Sequence, residues 1–316
     1  MTGARGSVRE FRVKGANLAP ARRYLDAVAG PDGPGDPAVP RLASTVLLLR
    51  EAEAPQPGRP GVQVFMQSRV AAMAFAPGVT VFPGGGVDPR DADPGLPMSG
   101  PHLSWWSERL ECAPETARGL LAAACREIYE ECGVLLAGRA GGGAAAAHSR
   151  SEGVEELFGG EAQAVAAREQ LTSGAVSLTE VLRATGLELR SELLTPYARW
   201  ITPEYHSRRY DTFMFLARMP HGQHADGRST ETERADWVRP SDVLRDLHEE
   251  RLTMLPPTIV ALERLEPPNA PAADAPAITA EEWLTRLQRR EWHMGAVTPQ
   301  LISAEDGTPT LICEVT

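Results

Sequence analysis

Lysine is almost missing from this chain. Lys14 is the only one, against 31 arginines in 316 residues. The formal net charge is −10, and no stretch is rich in Arg or Lys. That balance excludes a protein that tracks a nucleic-acid polymer through its phosphates, and it disfavours an anionic membrane surface. A small phosphorylated ligand stays open, because a few local arginines or a metal ion can serve it. Cysteine is scarce as well. Cys112, Cys125, Cys132 and Cys313 include no CxxC pair, which argues against a zinc site and fits a reducing cytoplasm. No apolar run approaches the roughly 18 residues of a membrane span, and the N-terminus lacks a secretory pattern. A cytoplasmic location is therefore expected.

What is present reads as mixed strands and helices. Residues 1–40 are rich in Gly and Pro and predict a partly ordered arm. "STVLLLR" (44–50) and "VQVFMQSR" (62–69) predict two strands of a long hairpin, and "VTVFPGGGVD" (79–88) a short strand stopped by Pro83 and its glycines. "PETARGLLAAACREIYEECG" has Pro114 and Glu115 suited to a first helical turn and Gly133 suited to a stop. Residues 137–150 form a low-complexity segment, expected to be a mobile loop, and 151–173 and 177–186 predict helices. Strand character returns in "LLTPYARWITP" and "RRYDTFMFLARMP". A helix capped near Ser241, another over 279–291 and a terminal hairpin complete the pattern. Without regular βαβ alternation, this order predicts α+β layers. The expected main domain is 41–268, followed by a C-terminal extension over 269–316.

One short stretch, "CREIYEECGV", concentrates chemistry. On a helical wheel, Glu127, Glu130 and Glu131 span about 100°, and Leu121, Cys125, Ile128 and Cys132 form an apolar stripe centred about 140° away. Arg126 stands four residues before Glu130, at ion-pair spacing. A solvated acidic face is the ordinary reading of such a cluster. Here, however, the acids crowd the C-terminal end of the helix, where the macrodipole disfavours negative charge. A divalent cation would resolve that conflict, and carboxylate oxygens suit Mg²⁺ or Mn²⁺.

At these residues the chain resembles the Nudix hydrolases, whose signature is G-x5-E-x7-R-E-U-x-E-E-x-G-U with U a bulky aliphatic residue. "REIYEECGV" (126–134) matches the second half at every specified position. The first half is interrupted, because Gly85 lies 41 residues before Arg126 where the signature requires 14. The insertion, about 87–112, makes the chain similar to the peroxisomal coenzyme A diphosphatase branch. Eight residues before Arg126 stands Arg118, and Glu115 is the nearest acid, on the wheel beside Arg126 and away from the three glutamates. Upstream, Arg69, Gly78, Phe82, Pro83, Gly84 and Gly85 fall in frame with a coenzyme A hydrolase element, while Val70, Ala74 and Thr80 depart from it.

The resemblance implies a Nudix fold, a mixed sheet between helices, with a second, helical insertion at about 137–190. It implies metal-dependent hydrolysis of a diphosphate bond in a nucleoside diphosphate derivative, coenzyme A or acyl-coenzyme A first. ADP-ribose, a dinucleotide or a nucleotide sugar is the alternative substrate, and a non-catalytic ligand sensor the alternative of another class. Glu127, Glu130 and Glu131 are the implied metal ligands, with Glu130, Glu131 and Arg126 catalytic. Glu231, six residues before Trp237, is the expected general base, with Glu233 as its rival. Substrate contacts are expected from Arg69, Gly84, Gly85, Arg208 and Arg209, with Asp211 orienting one of the arginines. Trp105 and Trp106 are expected to pack the insertion, and His102 and His206 to be structural or solvated. By analogy with relatives, a homodimer remains open.

Overall fold

The computed structural model describes residues 7–31, 33–53, 60–70, 78–141, 152–228, 232–266, 278–289 and 294–315. In chain order these residues form β1 (Ser7–Arg12), α1 (Leu18–Ala29), β2 (Arg41–Glu51), β3 (Pro60–Arg69), β4 (Thr80–Val81), β5 (Gly84–Gly86), β6 (Met98–Ser99), α2 (Leu103–Leu110), α3 (Pro114–Cys132) and β7 (Ala137–Arg139). There follow α4 (Val154–Phe158), α5 (Glu161–Thr172), α6 (Leu178–Thr185), β8 (Leu187–Arg190), β9 (Leu194–Ile201), β10 (Tyr210–Arg218) and β11 (Thr232–Val238). The chain closes with α7 (Pro240–His248), α8 (Pro256–Leu265), β12 (Ile278–Thr279), α9 (Ala280–Arg289), β13 (Gln300–Ser303) and β14 (Pro309–Val315).

The central sheet runs β11-β3-β2-β10-β9, with β10 parallel to β2 and the other pairings on that path antiparallel. Alternation along its middle strands divides the core. Val46, Leu48, Phe213 and Phe215 join α3 through Leu121, Cys125 and Ile128, whereas Leu47, Leu49, Met214 and Leu216 pack with Val260 and Leu262 of α8. A side-chain period of two sends neighbouring residues to opposite faces, so a continuous apolar run such as Val46–Leu49 is fully buried on both. The result is the α+β arrangement of a mixed sheet between helices.

Several expectations change in three dimensions. The N-terminal arm forms a strand and a helix, and β1 pairs antiparallel with β14 of the C-terminal extension. The glycine run is itself a short strand, with Gly84, Gly85 and Gly86 opposite Thr45, Ser44 and Ala43. Within the box insertion, α2 places Trp106 fully inside while Trp105 stays 42% exposed. His102 accepts from the Ser104 N–H at the start of α2. Helix α7 is led by Arg239 rather than capped at Ser241, and α8, begun by two prolines, was not anticipated. The expected mobile loop is partly the strand β7; the rest of it, 142–150, lies outside the described residues. No helix among the described residues is long and apolar enough to cross a membrane.

Candidate active site

Helix α3 carries the site because its two faces have different partners. Leu121, Cys125, Ile128 and Cys132 are fully buried against the sheet, and Gly133 (φ 69°) ends the helix in the left-handed region that favours glycine. Burial pushes the Cys125 thiol up to about 12, so it serves as a small apolar residue. The opposite flank of the last two turns presents Glu127, Glu130 and Glu131 to the glycine strand β5.

The approach to that strand is close. A Cβ added at Gly85 would lie 2.5 Å from Glu127 Oε1, and the Gly84 N–H donates to Glu131 Oε2 at 3.0 Å. A side chain at position 85 would push the Glu127 carboxylate from its present place. Gly84 is doubly constrained, with φ 154° and a would-be Cβ 2.4 Å from the Ser44 carbonyl oxygen.

Arg126 fastens the cluster. Its Nη1 donates to Glu127 Oε1 at 2.7 Å and to Glu130 Oε1 at 3.3 Å, and Nη2 donates to the Gly86 carbonyl at 2.8 Å. The fourth partner is one that sequence reasoning missed. Asp91, only 2% exposed at its side chain, accepts from Arg126 Nε at 3.1 Å and from Nη2 at 2.9 Å. Asp91 also accepts from the Asp88 N–H at 2.9 Å, which holds it in a capping box. Six residues forward of Gly85, it occupies the signature's first acidic position with a shorter side chain. Counting eight back from Arg126 had led to Arg118 and Glu115. Glu115 is exposed at the start of α3, and Arg118 bonds the Ala92 carbonyl. The insertion therefore follows the first acid instead of preceding it.

Three carboxylates (Asp91, Glu127 and Glu130) thus share one guanidinium, and Glu131 stands beside them on the Gly84 N–H. Burial pushes the Glu127 carboxyl up to about 7 against the pull of Arg126, and burial likewise raises Glu130. Such a cluster crowds carboxylates together, and their hard oxygen donors suit a small divalent cation. Among the described residues no three acidic, His or Cys side chains already converge as a cage. Glu127 and Glu130 are turned onto Arg126, and Glu131 onto the Gly84 amide.

The other expected residues separate. Arg208 is exposed and Arg69, at the end of β3, is half-buried. Arg209 is 7% exposed and donates to the carbonyls of Thr202 and Ala38, both at 2.9 Å, so its charge is used in holding backbone rather than a ligand. Asp211 pairs with Arg199 in a bidentate contact at 2.7 and 2.9 Å instead of orienting Arg208 or Arg209. His206 stacks on Tyr205, and burial lowers its imidazole to about 4. Glu231 and Ala74 lie outside the described residues. Thr232, beside Glu231 in sequence, is described: its hydroxyl donates to Gln67 Oε1 at 2.7 Å, and the Gln67 amide reaches Cys132 Sγ at the end of α3. Glu233 is exposed where β11 bulges against β3.

Comparison with known proteins gives this arrangement, a glycine strand beside a carboxylate-ended helix, a family. Residues 112–265 match a family described as the NUDT19 Nudix domain. A Nudix hydrolase of Alicyclobacillus acidocaldarius superposes with a TM-score of 0.54 at 25% identity, over 72% of this chain and 90% of that one. The Nudix domain of Shewanella oneidensis NrtR, solved with ADP ribose, gives a TM-score of only 0.35 at 10% identity, over 72% and 86%, and adds nothing to the argument. No curated protein sequence matches. Residues 112–265 are thus those of a Nudix hydrolase domain, and the protein is a pyrophosphatase of nucleoside diphosphate derivatives. Within that family it is similar to the branch that the matching description names, over a segment that begins at the end of the box insertion.

Proposed function

We propose that this enzyme cleaves the diphosphate bond of coenzyme A or acyl-coenzyme A, giving 3′,5′-ADP and (acyl-)4′-phosphopantetheine. The observation that carries the reading is the gathering of Glu127, Glu130 and Glu131 against Gly84 and Gly85, with Arg126 held by Asp91. The substrate preference rests on the NUDT19 match and on the upstream element that contains Arg69.

In this reading Glu127, Glu130 and Glu131 hold Mg²⁺ or Mn²⁺. When bound, such an ion screens the diphosphate charge and acidifies a water molecule. Arg126 keeps the carboxylates of Glu127 and Glu130 in place through its fork of donors. The side-chain-free backbone of Gly84 and Gly85 admits the phosphates to the acidic cluster. Arg69 and Arg208 contribute positive charge to the substrate, while Arg209 is withdrawn from that role. Glu231 takes the proton from the attacking water.

The test is incubation with coenzyme A, acetyl-coenzyme A, ADP-ribose, NADH and UDP-glucose, each with Mg²⁺ or Mn²⁺, and product identification by mass. Coenzyme A should give 3′,5′-ADP, and Glu131→Gln should lose turnover on the order of 100-fold while staying folded. Cleavage of ADP-ribose or a nucleotide sugar without cleavage of coenzyme A would transfer the assignment to that substrate. Full turnover by a folded Glu131→Gln protein would overturn the roles given to the acids.

A further inference from the structure

The two insertions, far apart in sequence, are fastened to each other. Arg90 Nη1 donates to the Gly174 carbonyl at 2.9 Å, and Arg183 Nε donates to the Gly95 carbonyl at 3.0 Å. Strand β6 of the first insertion pairs with β8, with Met98 opposite Leu189, and Ser191 Oγ donates to the Ser99 carbonyl at 2.6 Å. Trp106 adds an indole N–H to Ser191 Oγ at 3.3 Å. With Arg90 and Asp91, which stand just ahead of the first insertion, this joint unit grips α3 at two places. Asp91 holds Arg126 from one side. From the other, Arg168 of α5 donates through Nε to the Glu130 carbonyl at 3.0 Å.

Arg168 is tied down in turn. Both of its Nη atoms reach Asp226, each at 2.8 Å, and the Asp226 N–H donates to the Cys132 carbonyl at 2.9 Å. The Arg168 guanidinium lies directly over the helix end, where a Cβ at Gly133 would stand 2.9 Å from its Nη1. Tyr129 of α3 adds a hydroxyl bond to the Ala164 carbonyl at 2.6 Å, a second link between α5 and the end of α3. The last carbonyls of a helix have no partner within it and carry roughly half a negative charge. Here the carbonyls of Glu130 and Cys132 receive donors from outside the helix.

We propose that the two insertions form one brace, and that Arg168 is its positioning residue for the carboxylate end of α3. This rests on the reading of Glu127, Glu130 and Glu131 as the metal-holding acids. Arg168 touches backbone and Asp226, not the reacting groups. Its loss lets the helix end and its acids drift, and misplacement by about 1 Å costs on the order of 100-fold in rate.

The experiment compares wild type with Arg168→Met, Arg168→Lys and Asp226→Asn by amide hydrogen exchange and by steady-state kinetics on the same substrate panel with Mg²⁺. In Arg168→Met the amides of Gly133 and Asp226 should exchange at least tenfold faster, while Val46, bonded to the Pro83 carbonyl in the sheet, keeps its protection. The kcat should fall about 10- to 100-fold with KM within about twofold, the signature of lost positioning rather than lost substrate contact. Arg168→Lys keeps the charge but cannot reach Glu130 and both Asp226 oxygens at once, so it should not rescue. If Arg168→Met does not fold, Arg168→Lys and Asp226→Asn carry the same comparison. Unchanged exchange at Gly133 and Asp226 would overturn the brace whatever the kinetics, as would a raised KM at constant kcat. A wild type inactive on every substrate would sink the proposed function, while the exchange data would still decide on the brace.

Discussion

Replacing Asp91 with alanine removes the one partner of Arg126 that comes from outside β5 and α3. The Asp91 carboxylate is almost fully buried and takes two contacts from Arg126 Nε, one from Nη2 and one from the Asp88 amide. Breaking a buried ion pair from one side typically costs about 3–5 kcal/mol. Arg126 retains Glu127, Glu130 and the Gly86 carbonyl, which places the cost at the lower end, about 3 kcal/mol. For a chain of this size that corresponds to a fall in Tm of roughly 4–5 °C. Turnover should fall about tenfold or more, because Arg126 is then free to lean onto the acids it now spaces. Thermal and urea denaturation give the first number, and steady-state kinetics the second. Glu115→Ala is the control, since Glu115 is exposed and should change stability by less than about 1 kcal/mol. If the two variants match in denaturation midpoint and in turnover, Asp91 is not the acid that completes the site.

Two further outcomes follow from the same geometry. Glu127 has its proton affinity raised from an ordinary 4.5 to about 7, mainly by burial. Below pH 4.5 both folded and unfolded chains are protonated there; between 4.5 and 7 the unfolded chain gives up the proton first, so metal-free protein loses stability as pH rises through that window. Glu127→Gln should lack this component in EDTA, and Mn²⁺ should offset it in wild type only; equal pH slopes for the two proteins would refute it. Arg209→Met should cost about 1–3 kcal/mol, because two part-buried carbonyls lose their donor, and should leave KM unchanged. A severalfold rise in KM with stability intact would restore Arg209 to the substrate site.

Much of the scaffold was legible because it is written in local periods. The apolar stripe and acidic flank of α3 follow from 3.6 residues per turn, and its ends from Pro114 and Gly133. The hairpin of β2 and β3, the strand with Phe213 and Phe215, and the terminal hairpin follow from runs that suit a pleated sheet. Helix α8 lies outside the sequence-based expectations, although its paired prolines are well suited to a first helical turn. The strand at Gly84–Gly86 was read as a break because glycine has weak strand preference, and pairing with β2 overrode it.

The chain by itself thus determined which helix carries the acids, which face they share and which glycines stand ready to meet them, since all three depend on spacing within one element. Only the folded molecule decided who neutralises whom. Asp91 reaches Arg126 across 35 residues, Arg168 reaches Asp226 across 58, and Arg209 reaches Ala38 across 171. Contacts that long leave no periodic trace, because they are fixed by how sheet, helices and insertions pack and not by the conformation of any single segment.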